Sequence, residues 1–319
     1  MPASLRPRRS ALYVPGSNAR AMEKARSLAA DVLIFDLEDS VAVEHKDEAR
    51  MAVADAVRSL AHGRREIVVR INDLDSPWVA RDISAMVIAK PDAILVPKIA
   101  RADDIRRARA ALAAAQAPKT TNLWLMIETP AAVLNAAAIA GVAAIPEPSV
   151  AGLVVGTNDL ATALGAPQKP GRAGLLPHIA HVLLAARAHG LAILDGTYND
   201  LEDRKGLRAE CQQGRDMGFD GKTLIHPAQV PVANEVFAPD KEEVEWARRI
   251  VEAFASGDNA GLEVMRLSGR MVERLHERQA KRTLALADAI TGMEAEVKPA
   301  PAQKPARSAA PRTGATRQG

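Results

Sequence analysis

The chain has 319 residues, of which 48% are hydrophobic and 25% are charged, which is ordinary for a folded globular protein and allows either two domains or one α/β barrel. Aromatic residues make up only 3% of the chain, which argues against a nucleic-acid surface that stacks bases on aromatic rings. The net charge of +3 comes from the ends, because residues 1–10 and 297–319 carry basic but no acidic side chains, so duplex nucleic acid is not expected as a partner.

Eight short aliphatic runs, each followed by a longer stretch with the composition of a helix, recur along the chain. Such spacing predicts repeated strand–helix units of a parallel sheet. Because the sequence lacks the glycine fingerprint of a dinucleotide-binding sheet, eight units favour a TIM (β/α)8 barrel, an α/β fold, over an open sheet. The predicted strands are Ala11–Pro15, Asp31–Asp39, Glu66–Asn72, Ala93–Ile99, Asn122–Thr129, Ala151–Asp159, Leu191–Gly196 and Lys222–Pro227.

After the eighth strand the pattern changes. Helices are predicted over Glu242–Ala255 and Glu273–Thr291, with a loop over Ser256–Gly261 between them. Since the barrel is already complete, these helices form an extension that either caps the barrel or reaches a neighbouring subunit. The predicted organisation is a basic arm (1–10), a catalytic barrel (11–228), a C-terminal helical extension at a subunit interface (229–295) and a disordered basic tail (296–319).

Polar side chains stand at the carboxyl ends of several predicted strands, where barrel enzymes carry their chemistry. In strand two, the apolar residues at 33, 35 and 37 alternate toward the helices, so Asp36 and Glu38 are expected to point into the barrel mouth as candidate catalytic acids. The same alternation turns Arg70 inward at the end of strand three. Lys98 lies at the end of predicted strand four and is a candidate substrate-binding cation.

Two carboxylates on neighbouring strands are candidate metal ligands. Glu128 ends strand five and Asp159 ends strand six, and adjacent strands lie about 4.8 Å apart, so both side chains can share one cation. Mg²⁺ usually takes one or two protein carboxylates and keeps its other positions for water and substrate oxygens. Arg70 would then supply a planar fork for a substrate carboxylate. A salt-bridge network that plugs the barrel mouth is the alternative interpretation of the same residues.

The sequence lacks features that are typical of secreted and membrane proteins. The single cysteine, Cys211, excludes an intrachain disulfide and gives no secretory signature. No apolar run approaches the length of about 18 residues that a membrane-spanning segment requires. We therefore expect a cytoplasmic protein without membrane contact.

Eight segments in order along the chain resemble one known family. They are Tyr13-Val-Pro-Gly-Ser-Asn18, Asp36-Leu-Glu-Asp-Ser-Val41, Val69-Arg-Ile-Asn72, Val96-Pro-Lys98, Met126-Ile-Glu-Thr-Pro130, Gly156-Thr-Asn-Asp-Leu160, and Gly218-Phe-Asp-Gly-Lys222 with Ile225-His-Pro227. The chain resembles the citrate lyase β-subunit-like, malyl-CoA lyase-like branch of the HpcH/HpaI aldolase superfamily. The likeness covers about residues 8–292.

The resemblance implies a Mg²⁺-dependent TIM-barrel enzyme that acts on the CoA thioester of a 3-hydroxy dicarboxylic acid and forms a homo-oligomer, a trimer or hexamer. By the same resemblance, Glu128 and Asp159 are the metal ligands, and Arg70 with Glu128 is the substrate-binding pair. The first expectation is a carbon–carbon lyase that cleaves malyl-CoA, citramalyl-CoA or a methylmalyl-type ester to an acyl-CoA and a 2-oxo acid.

One segment departs from the lyase pattern. Lyases of the family have an Asp in the C-terminal extension, whereas this chain has Glu273 in Gly269-Arg-Met-Val-Glu273-Arg-Leu-His276. The resemblance implies that this carboxylate is an acid/base for a neighbouring subunit's site, although an exposed acid at a helix start is also possible. This version is similar to the (3S)-malyl-CoA thioesterase branch, so hydrolysis to free CoA and malate stays open. A citrate lyase β-type subunit that acts with an acyl carrier protein is a third alternative.

Overall fold

The computed structural model describes residues 6–59, 63–145, 149–256 and 261–296. The predicted disordered tail, residues 296–319, lies outside these ranges except for its first residue, and the first five residues of the predicted basic arm also lie outside them.

The fold is a closed parallel barrel, as the strand–helix spacing predicts. Each strand pairs with the next in sequence, and the eighth pairs with the first, so the sheet has no free edge. The strands are β1 (Ser10–Pro15), β2 (Val32–Asp36), β3 (Glu66–Arg70), β4 (Ala93–Val96), β5 (Asn122–Ile127), β6 (Val150–Val155), β7 (Ile193–Asp195) and β8 (Gly221–Leu224). Most of them end two to four residues before the aliphatic runs do, because the polar residues that close each run already belong to the loops.

Helices surround the barrel, and no helix within the described ranges combines the length and apolar character that a membrane crossing requires. They are α1 (Ala19–Ala25), α2 (Lys46–Ser59), α3 (Val79–Ala89), α4 (Ala102–Ala114), α5 (Pro130–Leu134), α6 (Ala136–Ala143), α7 (Thr157–Leu164), α8 (Leu176–Ala188), α9 (Arg204–Met217), α10 (Val230–Phe237), α11 (Lys241–Ala255) and α12 (Arg274–Glu296), with 3₁₀ turns at Val43–His45 and Pro227–Gln229.

Strand alternation separates two apolar layers. Leu33 and Phe35 of β2 pack outward in the large core between sheet and helices, whereas Ile34 joins the smaller core inside the barrel. Since the same alternation continues to the end of the strand, the next inward position is Asp36, the last residue of β2. The hydrophobic pattern therefore aims the polar side chains into the mouth.

The amino-terminal end of the barrel is closed by Arg8. Its guanidinium binds the Glu66 carboxylate at 2.6 Å and lies 4.9 Å from the ring centre of Trp124, whose indole N–H donates to Glu66 at 3.2 Å. A Cβ at Gly221 would come within 1.9 Å of the Arg8 carbonyl oxygen, so only glycine fits there. Arg8, Glu66 and Trp124 therefore fill this end of the barrel interior.

A separate small core holds the C-terminal extension together. Ala247, Ile250 and Phe254 of α11 pack against Val272 and Ala280. Residues 257–260 of the loop predicted over Ser256–Gly261 lie outside the described residues. Between that loop and the second predicted helix, where no element was predicted, the structure has an antiparallel hairpin, β9 (Val264–Leu267) and β10 (Arg270–Glu273), and the helix begins at Arg274. The hairpin turn is made by residues 268 and 269, both with positive φ, and a four-residue strand is too short to give a clear periodic signal.

A buried ionic cluster joins the barrel to α9. Lys222, with 0% exposure, donates to Asp195 at 2.9 Å and to Glu210 at 2.7 Å, and Arg172 donates to Asp195 at 2.6 Å. Burial alone would raise the pKa of Asp195, but Lys222 and Arg172 outweigh it, so this pKa lies below its ordinary value. Every charge in the cluster has an opposite partner.

Replacing Lys222 with Met is expected to lower the free energy of unfolding by about 3–5 kcal/mol, because removing one member of a buried ion pair leaves the other uncompensated. Chemical denaturation at neutral pH measures this change. Lys205→Met, at an exposed position of α9, is the matched control and should stay within about 0.5 kcal/mol of the parent. A loss below about 1 kcal/mol for Lys222→Met would show that the cluster does not hold the barrel and α9 together.

Candidate active site

The candidate site is a cavity of about 470 Å³ at the carboxyl ends of the barrel strands. Its walls include Tyr13, Asp36, Arg70, Met126 and Asp159, which come from β1, β2, β3, β5 and the segment after β6. These residues are far apart in sequence and meet only because consecutive parallel strands end on the same side of the barrel.

Three acidic side chains surround the Arg70 guanidinium. Asp36 is its register partner on β2, and the two form a bidentate pair with both distances at 2.7 Å. Glu38 and Asp39 lie 3.0 and 3.2 Å from another guanidinium nitrogen. The ring of Tyr13 stacks on the guanidinium with a separation of 5.0 Å. Asp36, Glu38 and Arg70, the three side chains predicted to point inward, thus lie together in the structure.

The two predicted catalytic acids of strand two differ in protonation behaviour. Burial alone would raise the pKa of Asp36, but the Arg70 guanidinium and backbone N–H groups outweigh it, so Asp36 is held as a carboxylate. For Glu38, burial outweighs Arg70 and Lys98, and its pKa is raised. Asp36 therefore anchors Arg70, whereas Glu38 is the more readily protonated of the pair.

Lys98 contacts the site through two different groups. Its ammonium lies 2.8 Å from Glu38, and its backbone N–H donates to Glu128 Oε1 at 2.7 Å. The residue has a φ of 54°, in the left-handed region that side chains other than glycine adopt only rarely. This backbone turn directs the N–H at Glu128, a role that the sequence does not reveal.

One carboxylate oxygen of Glu128 has no hydrogen-bond donor within the described ranges. Its Oε2 is buried and receives no hydrogen bond from any residue in the described part of the chain. A Cβ at Gly156 would lie 2.7 Å from that oxygen and 2.4 Å from the Glu128 Cβ, so glycine is required opposite it. Burial, together with the nearby carboxylates of Asp159 and Glu38, raises the pKa of Glu128 above its ordinary value.

Asp159 lies beside Glu128, but on a different element from the one predicted. β6 ends at Val155, and Asp159 stands in the first turn of α7, so its placement at the end of strand six is wrong. Gly156 interrupts the strand and becomes the N-cap of the helix. The helix start still brings the carboxylate to the cavity wall.

The residues present fit a divalent cation. A buried carboxylate oxygen without a donor, next to a second carboxylate, is a polar site that a cation would complete. Within the described ranges there is no cluster of three or more His, Cys, Asp or Glu side chains suited to a metal. Two carboxylates are nevertheless what Mg²⁺ commonly takes from a protein, with water and substrate oxygens as its other ligands.

Glu273 does not reach this cavity in its own chain. It is the last residue of β10, and its N–H donates to His276 Nδ1 at 2.9 Å. The following helix α12 runs under the opposite end of the barrel, where Arg282 binds Asp220 at 3.0 Å and Glu294 binds Arg9 at 3.1 Å. Of the predicted site residues, Asp36, Glu38, Arg70, Lys98, Glu128 and Asp159 are brought together, and Glu273 is not.

Two residues near the site escaped the sequence interpretation. Tyr13 lines the cavity, and the alternation of β1, with Leu12 and Val14 outward, could have identified it. Lys46 is buried, donates to the carbonyl oxygens of Leu37 and Glu38 at 2.8 and 2.7 Å, and so fixes the backbone that carries the acids. No local pattern identifies Lys46, because its partners are backbone atoms.

Comparisons with known proteins identify the family to which the chain is similar. A family model described as HpcH/HpaI aldolase/citrate lyase matches residues 9–227. A (3S)-malyl-CoA thioesterase of Cereibacter sphaeroides is 48% identical over 289 residues, which cover 91% of this chain and 98% of that protein. Citrate lyase subunit beta of Escherichia coli is 36% identical over 273 residues, which cover 84% and 89%.

Among solved structures, the CitE protein of Mycobacterium tuberculosis in complex with magnesium, acetoacetate and coenzyme A is similar. The TM-score is 0.69 at 31% identity, and the match covers 88% of this chain and 97% of that chain. The fold, the arrangement of the site and the extent of these matches lead to one conclusion. This chain belongs to the HpcH/HpaI aldolase/citrate lyase family.

Proposed function

We propose that this protein is a Mg²⁺-dependent thioesterase that hydrolyses the CoA ester of a 3-hydroxy dicarboxylic acid, of the malyl type, to free CoA and the hydroxy acid. The observation that carries the reaction type is the 48% identity with a (3S)-malyl-CoA thioesterase over nearly the full length of both chains. The sequence alone favoured the carbon–carbon lyase over the thioesterase. Because of this similarity, we now prefer the thioesterase.

Two neighbouring cavities that share wall residues support an extended substrate with charged ends. A second cavity of about 290 Å³ shares Tyr13, Pro15 and Ile225 with the first. Arg20 and Lys24 line it, and neither forms an ion pair with another residue of the described ranges. Free cations favour a phosphate-bearing group such as the nucleotide part of CoA, while the first cavity takes the acyl part.

Arg70 and the carboxylates have separate roles in this proposal. Arg70 orients the substrate carboxylate and is itself held by Asp36. Glu128 and Asp159 would hold the metal, which supplies Lewis-acid polarisation of the substrate oxygens when bound. Lys98 contributes by directing Glu128 Oε1 through its N–H, which leaves Oε2 for the cation.

Glu273 would come from a second copy of the chain. Its own α12 is anchored beneath the barrel, and the hairpin exposes the apolar side chains of Val264 and Met271, which are 50% and 65% exposed. At a partner's mouth, the Glu273 carboxylate would take a proton from water as the water oxygen adds to the thioester carbon. The C–S bond then breaks, and the CoA sulfur leaves with that proton.

A product assay tests the function. Malyl-CoA and citramalyl-CoA are incubated with the protein, with Mg²⁺ or with EDTA, and the products are separated by chromatography. Free CoA with intact malate or citramalate, formed only with Mg²⁺, is the expected result. Carbon–carbon cleavage is the second candidate, because citrate lyase subunit beta matches most of the chain. Acetyl-CoA with glyoxylate or pyruvate would establish the lyase, and no turnover would overturn both.

Mixing two inactive variants is expected to restore activity if Glu273 acts across subunits. In a mixture of Glu273→Gln and Glu128→Gln that is unfolded and refolded together, some sites combine an intact Glu128 with a partner's intact Glu273. Turnover of malyl-CoA above that of either variant alone is the expected result. Each variant refolded by itself is the control. If the mixture stays as inactive as its components, Glu273 does not act from a second copy.

A further inference from the structure

Tyr13 stands where the two cavities meet. It is an inward-facing residue of β1 and belongs to the walls of both the cavity with Arg70 and the cavity with Arg20 and Lys24. Its ring rests on the Arg70 guanidinium, which fixes the ring plane. In a CoA ester that spans both cavities, the thioester joins the acyl part to the CoA part, so the reacting carbonyl lies at this junction.

The Tyr13 hydroxyl is available to donate a hydrogen bond. Within the described ranges its hydrogen-bond partner is the thioether sulfur of Met126, at 3.8 Å, and a thioether is a weak acceptor. Burial, and the nearby carboxylates of Asp36 and Glu128, raise the pKa of Tyr13 despite Arg70, so the hydroxyl keeps its proton. The other tyrosine differs, because Tyr198 donates to the Asp203 carboxylate at 2.8 Å.

We propose that Tyr13 is a catalytic residue whose O–H donates a hydrogen bond to the carbonyl oxygen of the substrate thioester. This inference rests on the proposed CoA-ester function but not on which bond is broken. In hydrolysis, water adds to the carbonyl carbon and its oxygen gains negative charge until the C–S bond breaks. In carbon–carbon cleavage, the bonding pair moves onto the same oxygen as an enolate. A neutral donor fixed at that oxygen stabilises either charge.

Tyr13→Phe keeps the ring on Arg70 and removes only the hydroxyl. We expect kcat for malyl-CoA to fall about 10²–10³-fold, as for the loss of one oxyanion donor, with KM changed less than about threefold. The Mg²⁺ affinity measured by calorimetry should stay unchanged, which separates the effect from damage to the metal site. Tyr198→Phe is the matched control and should retain the kcat of the parent.

Binding of two unreactive analogues gives a second readout. One is the ketone analogue of succinyl-CoA in which a methylene replaces sulfur, and the other is S-(3-carboxypropyl)-CoA, a thioether without the carbonyl oxygen. The parent is expected to prefer the ketone by roughly threefold to tenfold, the value of one hydrogen bond, and Tyr13→Phe to lose that preference. A variant that keeps both the preference and its kcat would overturn the role of Tyr13. A parent that binds neither analogue would instead overturn the CoA-ester function on which this role rests.

Discussion

Replacing Glu128 with Gln is expected to abolish turnover, with a loss of about 10³-fold or more, and to abolish Mg²⁺ binding. The amide keeps the volume of the side chain, and its oxygen still accepts from the Lys98 N–H. The substitution removes the negative charge. It also puts an amide NH₂ group at the position of Oε2, the oxygen that has no hydrogen-bond donor in the described part of the chain and that we assign to the metal. Calorimetric titration with Mg²⁺ and rates with and without EDTA measure the two effects.

The control for this variant is a Glu→Gln change away from the site. Glu252 is exposed on α11, so Glu252→Gln should leave both Mg²⁺ binding and turnover at the level of the parent. The circular dichroism and melting temperature of Glu128→Gln should also stay close to those of the parent, because Glu128 lies among other carboxylates. Full activity and unchanged Mg²⁺ affinity in Glu128→Gln would show that the metal binds elsewhere.

Replacing Arg70 with Met is expected to lower kcat/KM by about 10³-fold or more and also to destabilise the fold. The substrate carboxylate loses its planar partner, and Asp36, Glu38 and Asp39 lose the cation between them. Leaving buried acids uncompensated costs about 3–5 kcal/mol. Kinetics on malyl-CoA and chemical denaturation report the two losses, and Arg58→Met, at an exposed ion pair on α2, is the control.

The stability loss of Arg70→Met should depend on pH. In the parent, the pKa of Asp36 lies below its unfolded value of about 3.9, so its contribution is complete above that pH and is lost as the pH falls further. Without Arg70, burial raises this pKa, and folding then requires proton uptake above pH 4. The gap between parent and variant is therefore expected to widen as the pH rises above about 4. A gap that is constant with pH would indicate that Arg70 acts by packing alone.

Much of the site could be predicted because the period of a strand is two. Once Leu33 and Phe35 are assigned to the outer core, Asp36 must point inward, and Arg70 follows in the same way on β3. Parallel strands that end on one side of a barrel bring such residues together without further information. Asp159 reached the predicted place although its element was wrongly assigned, because the helix that follows β6 starts at the same rim.

Other features depend on backbone geometry that no residue pattern encodes. The left-handed turn at Lys98 directs an N–H toward Glu128, and Lys46 holds two carbonyl oxygens behind the acids. The weakly bound hydroxyl of Tyr13 is visible only when its neighbours are known. Such contacts involve main-chain atoms, which every residue has, or partners that are distant in sequence. A local residue pattern therefore does not reveal them.

The sequence by itself determined the barrel, the inward-facing acids and Arg70, and the family, since these follow from hydrophobic alternation and from segments in a constant order. Only the tertiary structure decided that Glu273 lies away from the site of its own chain, because α12 packs on α11 and forms ion pairs with the barrel base. It also decided that Glu128 Oε2 has no hydrogen-bond donor among the described residues, with Gly156, which follows the adjacent strand β6, packed against it. Local sequence patterns specify which face of a strand or helix a side chain occupies. The distances between atoms that are far apart in sequence depend on tertiary packing.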